Sequence, residues 1–526
     1  MGVGVRTVLA GGLVLDGTGA PPFVGDVAIE AGRIAAVGPA SDSHGAASVV
    51  DVEGLVVAPG FIDAHSHADN APFLGETDLS KLTQGITTEV VGNCGFSLAP
   101  RSRQHGAAVD SYLSLLFPPS ALGHGERMPA LFQAADARGY PTNVLPLVGH
   151  GTLRAAVMGF DDRPPSGREL AAMGDHLEEA LDAGAGGLSS GLIYRPGTYA
   201  RTDELAALAG RMQGRPAVYA SHIRNEGSGL LAAIDEALAV GRGGGVPVHV
   251  SHLKSAGAQA WGLVADALAR LAAARHDGQR VSQDVYPYTA SSTMLVVCLP
   301  RALRNLSNPE ILRRLRAPDS VEAVREGLRQ EGDDQRRFAS VYVSSTHDHR
   351  YEGRTLAELA QAMGTDGAEA LVRVLVDEEL RAIMVSFSMR EEDIESVLRD
   401  PYTAIGTDGA PPGLGGRPHP RLWGTFPRIL GRYVRERRVL DLADAVRRMT
   451  SLPADVFRLR EVGRLAPGMR ADVVVFDPAT VADRATYDDP TQAAMGIEHV
   501  LVGGTWSVRA ALPTGVRVGA RLAPSP

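Results

Sequence analysis

Residues 55–67 read LVVAPGFIDAHSH, and the rest of the chain takes its meaning from this run. An apolar, strand-like stretch passes Pro59 and Gly60 and ends on two histidines two residues apart. Side chains two apart on a strand point the same way, so His65 and His67 can reach one metal ion. Seven further runs share the design, an apolar stretch closing on polar or ligand-type residues. They are GITTEVVGNC (85–94), TNVLPLVGH (142–150), GAGGLSS (184–190), PAVYASH (216–222), VPVHVSH (246–252), RVSQDVYP (280–287) and YTAIGTD (402–408). Longer helical patterns separate them, which implies parallel β/α units. Eight such strands predict an α/β protein built on a TIM-like (β/α)₈ barrel, whose active site lies at the strands' C-terminal ends.

Outside these eight lie two more strand-like runs, FASVYVSS (338–345) and RAIMVSFSM (381–389). They are expected in an insertion before the last barrel strand, roughly 293–400. Short alternating β segments broken by Gly and Pro occupy both chain ends, at 8–38 and again at 463–480 and 497–508. The predicted plan is a small β-domain made from 1–58 and 456–526, with the barrel spanning 59–455.

Bulk composition narrows the function. With 526 residues, 44% hydrophobic and 21% charged, the chain is an ordinary globular protein able to bury more than one core. A net charge of −9 without a basic block argues against nucleic acid or an anionic membrane as main partner. No stretch of 18 apolar residues predicts a membrane span, and the N-terminus reads as strand and turn, not as a signal peptide. Two cysteines cannot build a disulfide framework, so a cytoplasmic location is expected. Of 52 Lys+Arg, only Lys81 and Lys254 are lysines. Arginine does not replace a compact amine, so each retained lysine invites a question.

His222 and His252 close two successive strands in the same relative position, and Cys94 closes the second strand. One thiolate, two imidazoles and a water make a four-coordinate zinc site with an open position, as catalytic zinc requires. Asp408 ends the eighth strand, which barrel closure places beside the first and its His65/His67 pair. Cys298, within apolar MLVVCLP, reads as core. His150 ends the third strand and reads as pocket lining or as structural.

These runs resemble the amidohydrolase superfamily, and within it the N-acyl-D-amino-acid deacylases, or D-aminoacylases. The likeness extends over nearly the whole chain and includes GNCGFS (92–97), GLIYRPG (191–197), SHIRNEG, HVSHLK, DVYPYTASST and HPRLWGTFPRILGRY. It implies zinc-dependent hydrolysis of N-acyl-D-amino acids to a carboxylate and a free D-amino acid, with Asp408 as catalytic base. Cys94, His222 and His252 would hold the tight zinc, and His65, His67 and Asp408 a weaker second one. Tyr194, Lys254, Tyr286, Ser292 and Arg421 match positions that contact the small-molecule substrate. Arg421 is preferred to Arg417 because it lies in HPRLWGTF, although GAPPGLGGRPHPR departs from the usual spacing. Relatives that bridge two metals use a carboxylated lysine; no lysine stands near the fourth strand here, and Cys94 takes that role. The alternative is a related amidohydrolase acting on a specialised D-residue amide of a natural product or on a cyclic amide.

Overall fold

The structure is a computed structural model describing residues 6–39, 48–114, 116–331, 335–410 and 416–526. A strand occupies each of the eight runs. We label them β1 (Phe61–Asp63), β2 (Ile86–Val91), β3 (Asn143–Pro146, resuming at Val148–Gly149), β4 (Gly187–Gly191), β5 (Val218–His222), β6 (Val248–Val250), β7 (Val281–Val285) and β8 (Thr403–Ile405). They pair parallel in chain order from β1 to β8. Backbone hydrogen bonds then run between the last and the first: Ala64 N–H donates to the Ile405 carbonyl at 3.0 Å, and Asp408 N–H to His65 at 2.7 Å. Every residue of these eight strands is buried, as expected of a parallel sheet covered on both faces.

The helices between the strands bury their apolar stripes against the sheet. Helix Gly167–Asp182 starts at a capping box in which Ser166 and Glu169 satisfy each other's backbone N–H groups, and it turns Met173, Leu177 and Leu181 inward.

Both chain ends meet in a separate, mostly antiparallel sheet. Strand Val473–Phe476 pairs antiparallel with Val56–Pro59, so the segment leading into β1 is stitched to the C-terminal part. Leu9, Val14, Val27, Val57, Val473 and Leu501 share that core. Beyond Thr514 the chain returns to the parallel strands, where Leu522 N–H donates to the Val144 carbonyl at 2.8 Å.

Between β7 and β8 the chain forms a further sheet and a separate core. Strand Ala290–Met294 pairs antiparallel with Ile383–Phe387, which pairs with Val341–Ser345. The sheet's first strand starts at Ala290. Among the described residues, no helix is long and apolar enough to cross a membrane.

Candidate metal centre and substrate cavity

The strands' C-terminal ends converge on one cavity of about 150 Å³. Cys94, His222 and His252 reach it from β2, β5 and β6, and His67 and Asp408 from β1 and β8. His65 lies just beneath, fully buried. Three of these residues hold left-handed backbone, Cys94 at φ 54°, His252 at φ 36° and Asp408 at φ 49°. Non-glycine residues adopt this region at a cost, and such strain gathers where a side chain must be aimed. A glycine makes room for one of them. A β-carbon on Gly191 would stand 2.0 Å from the Cys94 carbonyl oxygen, so only glycine lets β4 pass that close.

The ligand-type atoms form two clusters that share Cys94: Cys94 with His222 and His252, and Cys94 with His65, His67 and Asp408. Within each, all ligand atoms lie within 4.8 Å of one another. Cys94 Sγ is 3.2 Å from His65 Nε2 and 3.5 Å from His252 Nε2. Burial disfavours the thiolate, but the His65 and His252 imidazoles beside it outweigh that and hold the Cys94 pKa well below the usual thiol range. In the second cluster His67 Nε2 is 3.2 Å and His65 Nε2 3.6 Å from Asp408 Oδ1. Burial also opposes ionisation of Asp408, yet the Arg421 guanidinium, 2.8 Å from Oδ2, leads the charges that keep it an anion.

His222 supplies the test for a metal. It is buried, and among the described residues neither ring nitrogen has a hydrogen-bond partner, with the Cys94 thiol within 4.8 Å. Buried polar atoms are almost always satisfied, and an imidazole left bare beside a thiolate and a second imidazole fits a metal ligand. The set Cys94, His222, His252 therefore fits zinc.

Two carboxylates that no motif signalled orient these ligands. Asp284, fully buried on β7, accepts from His65 Nδ1 at 3.2 Å, His249 Nε2 at 2.9 Å and the His252 backbone N–H at 3.0 Å. Glu226 Oε1 lies 3.0 Å from His252 Nδ1. A carboxylate on one ring nitrogen fixes the tautomer and leaves the other free for a metal. For Asp284 the available signal is an acid inside a buried strand, which needs a partner; Glu226 lies in the loop after β5 and has no such signal.

All five expected substrate contacts line the cavity. The Tyr194 hydroxyl is 3.0 Å from Thr293 Oγ1, and its ring stands 5.1 Å from that of His222. Among the described residues the Tyr286 hydroxyl has no hydrogen-bond partner, and the Arg421 guanidinium lies 4.6 Å over the Tyr286 ring. Ser292 offers its carbonyl to Arg421 Nη2 at 3.3 Å. Lys254 is already engaged, 2.5 Å from Glu226 Oε1 and 2.8 Å from His252 Nδ1. Arg421 is buried at the cavity whereas Arg417 is exposed; residues 411–415 of the unusually spaced segment fall outside the described set. His150 turns away from the cavity: it opens a helix and bonds Glu204 at 2.9 Å, beside the Arg154–Glu204 ion pair. Cys298 is buried core against Met384.

A model of the amidohydrolase family matches residues 48–508. The chain belongs to the amidohydrolase family. This amidohydrolase is 42% identical over 501 residues to an N-acyl-D-glutamate deacylase of Alcaligenes xylosoxydans xylosoxydans, covering 94% of this chain and 92% of that protein. It is 38% identical over 506 residues to a D-aminoacylase of the same organism, covering 94% and 93%. The solved N-acyl-D-glutamate deacylase of Bordetella bronchiseptica, complexed with zinc and a phosphonate mimic of the tetrahedral intermediate, matches with a TM-score of 0.83 at 39% identity, covering 99% of each chain.

Proposed function

We propose that this amidohydrolase hydrolyses N-acyl-D-amino acids, with zinc held by Cys94, His222 and His252 and a second, weaker site at His65, His67 and Asp408. The observation that carries the reading is the bare, buried His222 imidazole beside Cys94 and His252 on a cavity floor that also presents Asp408. The D-configuration is taken from the N-acyl-D-glutamate deacylase and D-aminoacylase relatives. When bound, zinc supplies Lewis acidity that polarises the scissile carbonyl and brings the pKa of water from about 15.7 towards about 7.

Asp408, ionised and at the junction of β1 and β8, takes the proton of the attacking water. It then returns that proton to the departing amine, a base turned acid. Tyr194, its hydroxyl at the cavity wall, is the donor available to the developing oxyanion. Arg421 reads the substrate α-carboxylate through its planar fork, and Lys254 adds a point charge near the same wall. Tyr286, stacked under Arg421 and without a hydrogen-bond partner, and Ser292 complete that contact.

The ring of parallel strands supports a closed (β/α)₈ barrel. We assign it residues 59–455, with the insertion starting at Ala290 and the small β-domain formed by 1–58 and 456–526. Two free, buried cysteines fit action in a reducing cytoplasm.

The test is amine release from paired N-acetyl-D- and N-acetyl-L-amino acids by the zinc-replete protein. D-selective release is expected. No release from any pair, with zinc bound, would shift the function to a specialised or cyclic amide.

A further inference from the structure

Lys81 is one of two lysines in the chain and takes no part in the chemistry above. It precedes a short 3₁₀ turn, Leu82–Gln84, yet its side chain is almost wholly buried, at 1% exposure. Its ammonium meets four oxygens: Asp63 Oδ2 at 2.6 Å, Thr407 Oγ1 at 2.8 Å, Ser66 Oγ at 2.9 Å and Glu89 Oε2 at 3.0 Å. Where these partners sit matters more than their number. Ser66 lies between His65 and His67, and Thr407 immediately precedes Asp408. Asp63 extends the same tie. Its Oδ1 accepts from Thr407 N–H at 2.8 Å and from His65 N–H at 3.1 Å, and its Oδ2 accepts from the Thr407 hydroxyl at 2.6 Å. Ser66 in turn donates to Glu89 Oε2 at 2.6 Å, which brings in β2.

We infer that Lys81 is a positioning residue: from beneath, its ammonium straps the segment bearing His65 and His67 to the segment bearing Asp408. The inference rests on the reading of Asp408 as the base. Three hydrogen-bond acceptors and the Glu89 carboxylate, as an ion pair, converge on one point, which suits a compact ammonium with three rotatable donors and not a planar guanidinium. That accounts for a lysine in a chain otherwise supplied with arginine. The two strand ends meet only where the parallel ring closes, so their spacing depends on contacts across that junction. A misplacement of about 1 Å at such a site can cost about 10²-fold in rate.

The test compares zinc-loaded wild type with Lys81→Met. Glu89→Gln is added in a second variant, so that the cluster keeps its charge of −1 (Lys81, Asp63 and Glu89 sum to −1; Asp63 alone is −1). This second variant decides the matter where the first fails to fold. Expected are unchanged zinc at the Cys94 site, KM within about threefold, kcat lower by about 10²-fold, and a crystal structure with Asp408 displaced from His67 by more than about 0.5 Å. A folded variant with wild-type kcat and an unmoved Asp408 overturns the inference. If the wild type itself releases no amine, the reading of function has failed, and the displacement in the crystal still decides whether Lys81 positions these segments.

Discussion

Around Cys94 the two ligand clusters share a thiolate but are built differently. On the β1/β8 side each ligand already has at least one charged protein partner: His65 leans on Asp284, His67 on Asp408 through Nε2 (its Nδ1 makes no hydrogen bond among the described residues), and Asp408 on Arg421 at 2.8 Å. On the β5/β6 side His252 is held through Nδ1 by Glu226, but among the described residues neither His222 nitrogen has a hydrogen-bond partner. A cation entering the second side satisfies buried atoms that otherwise have no partner. One entering the first must compete with a buried ion pair, whose separation is costly. On the assignment proposed above, the difference favours tighter metal at Cys94, His222 and His252 than at His65, His67 and Asp408, without invoking any difference in donor strength.

Three substitutions can break or sharpen that contrast. The largest effect is expected from Cys94→Ala, which removes the shared ligand. Zinc per chain, read by metal analysis of the dialysed protein, should fall from one to near zero, and turnover with it. Full retention would return Cys94 to an inert core role. Next comes Asp408→Ala, which touches only the β1/β8 cluster. One zinc should remain while kcat drops by about 10²–10⁴-fold. Loss of that zinc would mean that the clusters are not independent. Smaller again is Glu226→Gln. It keeps the size of the side chain but weakens the hold on His252, and zinc affinity by competition titration should fall about 10–100-fold. Unchanged affinity would show that Glu226 serves Lys254 alone.

The same contrast marks how far the sequence could be read. Strand-end histidines, Cys94 and Asp408 announce themselves because each closes an apolar run, and eight repeated runs give the parallel strands directly. Asp284 and Glu226 did not stand out, because their roles come from partners across the ring: Asp284 meets His65 from 219 positions away. Lys81 was noticeable by rarity, but its tie to Thr407 spans 326 positions and no spacing rule reaches that far. His150, open to a lining or a structural reading, takes the structural one. It closes β3 as His222 closes β5, yet a helix begins on it and turns the ring towards Glu204.

Lys254 gives the smallest effect and the sharpest question about the cavity. In a chain with 2 lysines among 52 basic residues, both are buried and both are already paired with carboxylates. Lys81 faces groups that hold the backbone, whereas Lys254 borders the cavity with Glu226 as its counter-ion. Glu226 cancels much of the charge that Lys254 offers a substrate carboxylate, so Arg421 must carry most of that recognition. Lys254→Met should then raise KM by about tenfold, equivalent to about 1.4 kcal/mol and near the low end for a charged hydrogen bond. The same change frees Glu226 for His252 Nδ1, so zinc affinity should hold or improve. A rise in KM with zinc retained assigns Lys254 to the substrate; loss of zinc with KM unchanged assigns it to the orientation of His252.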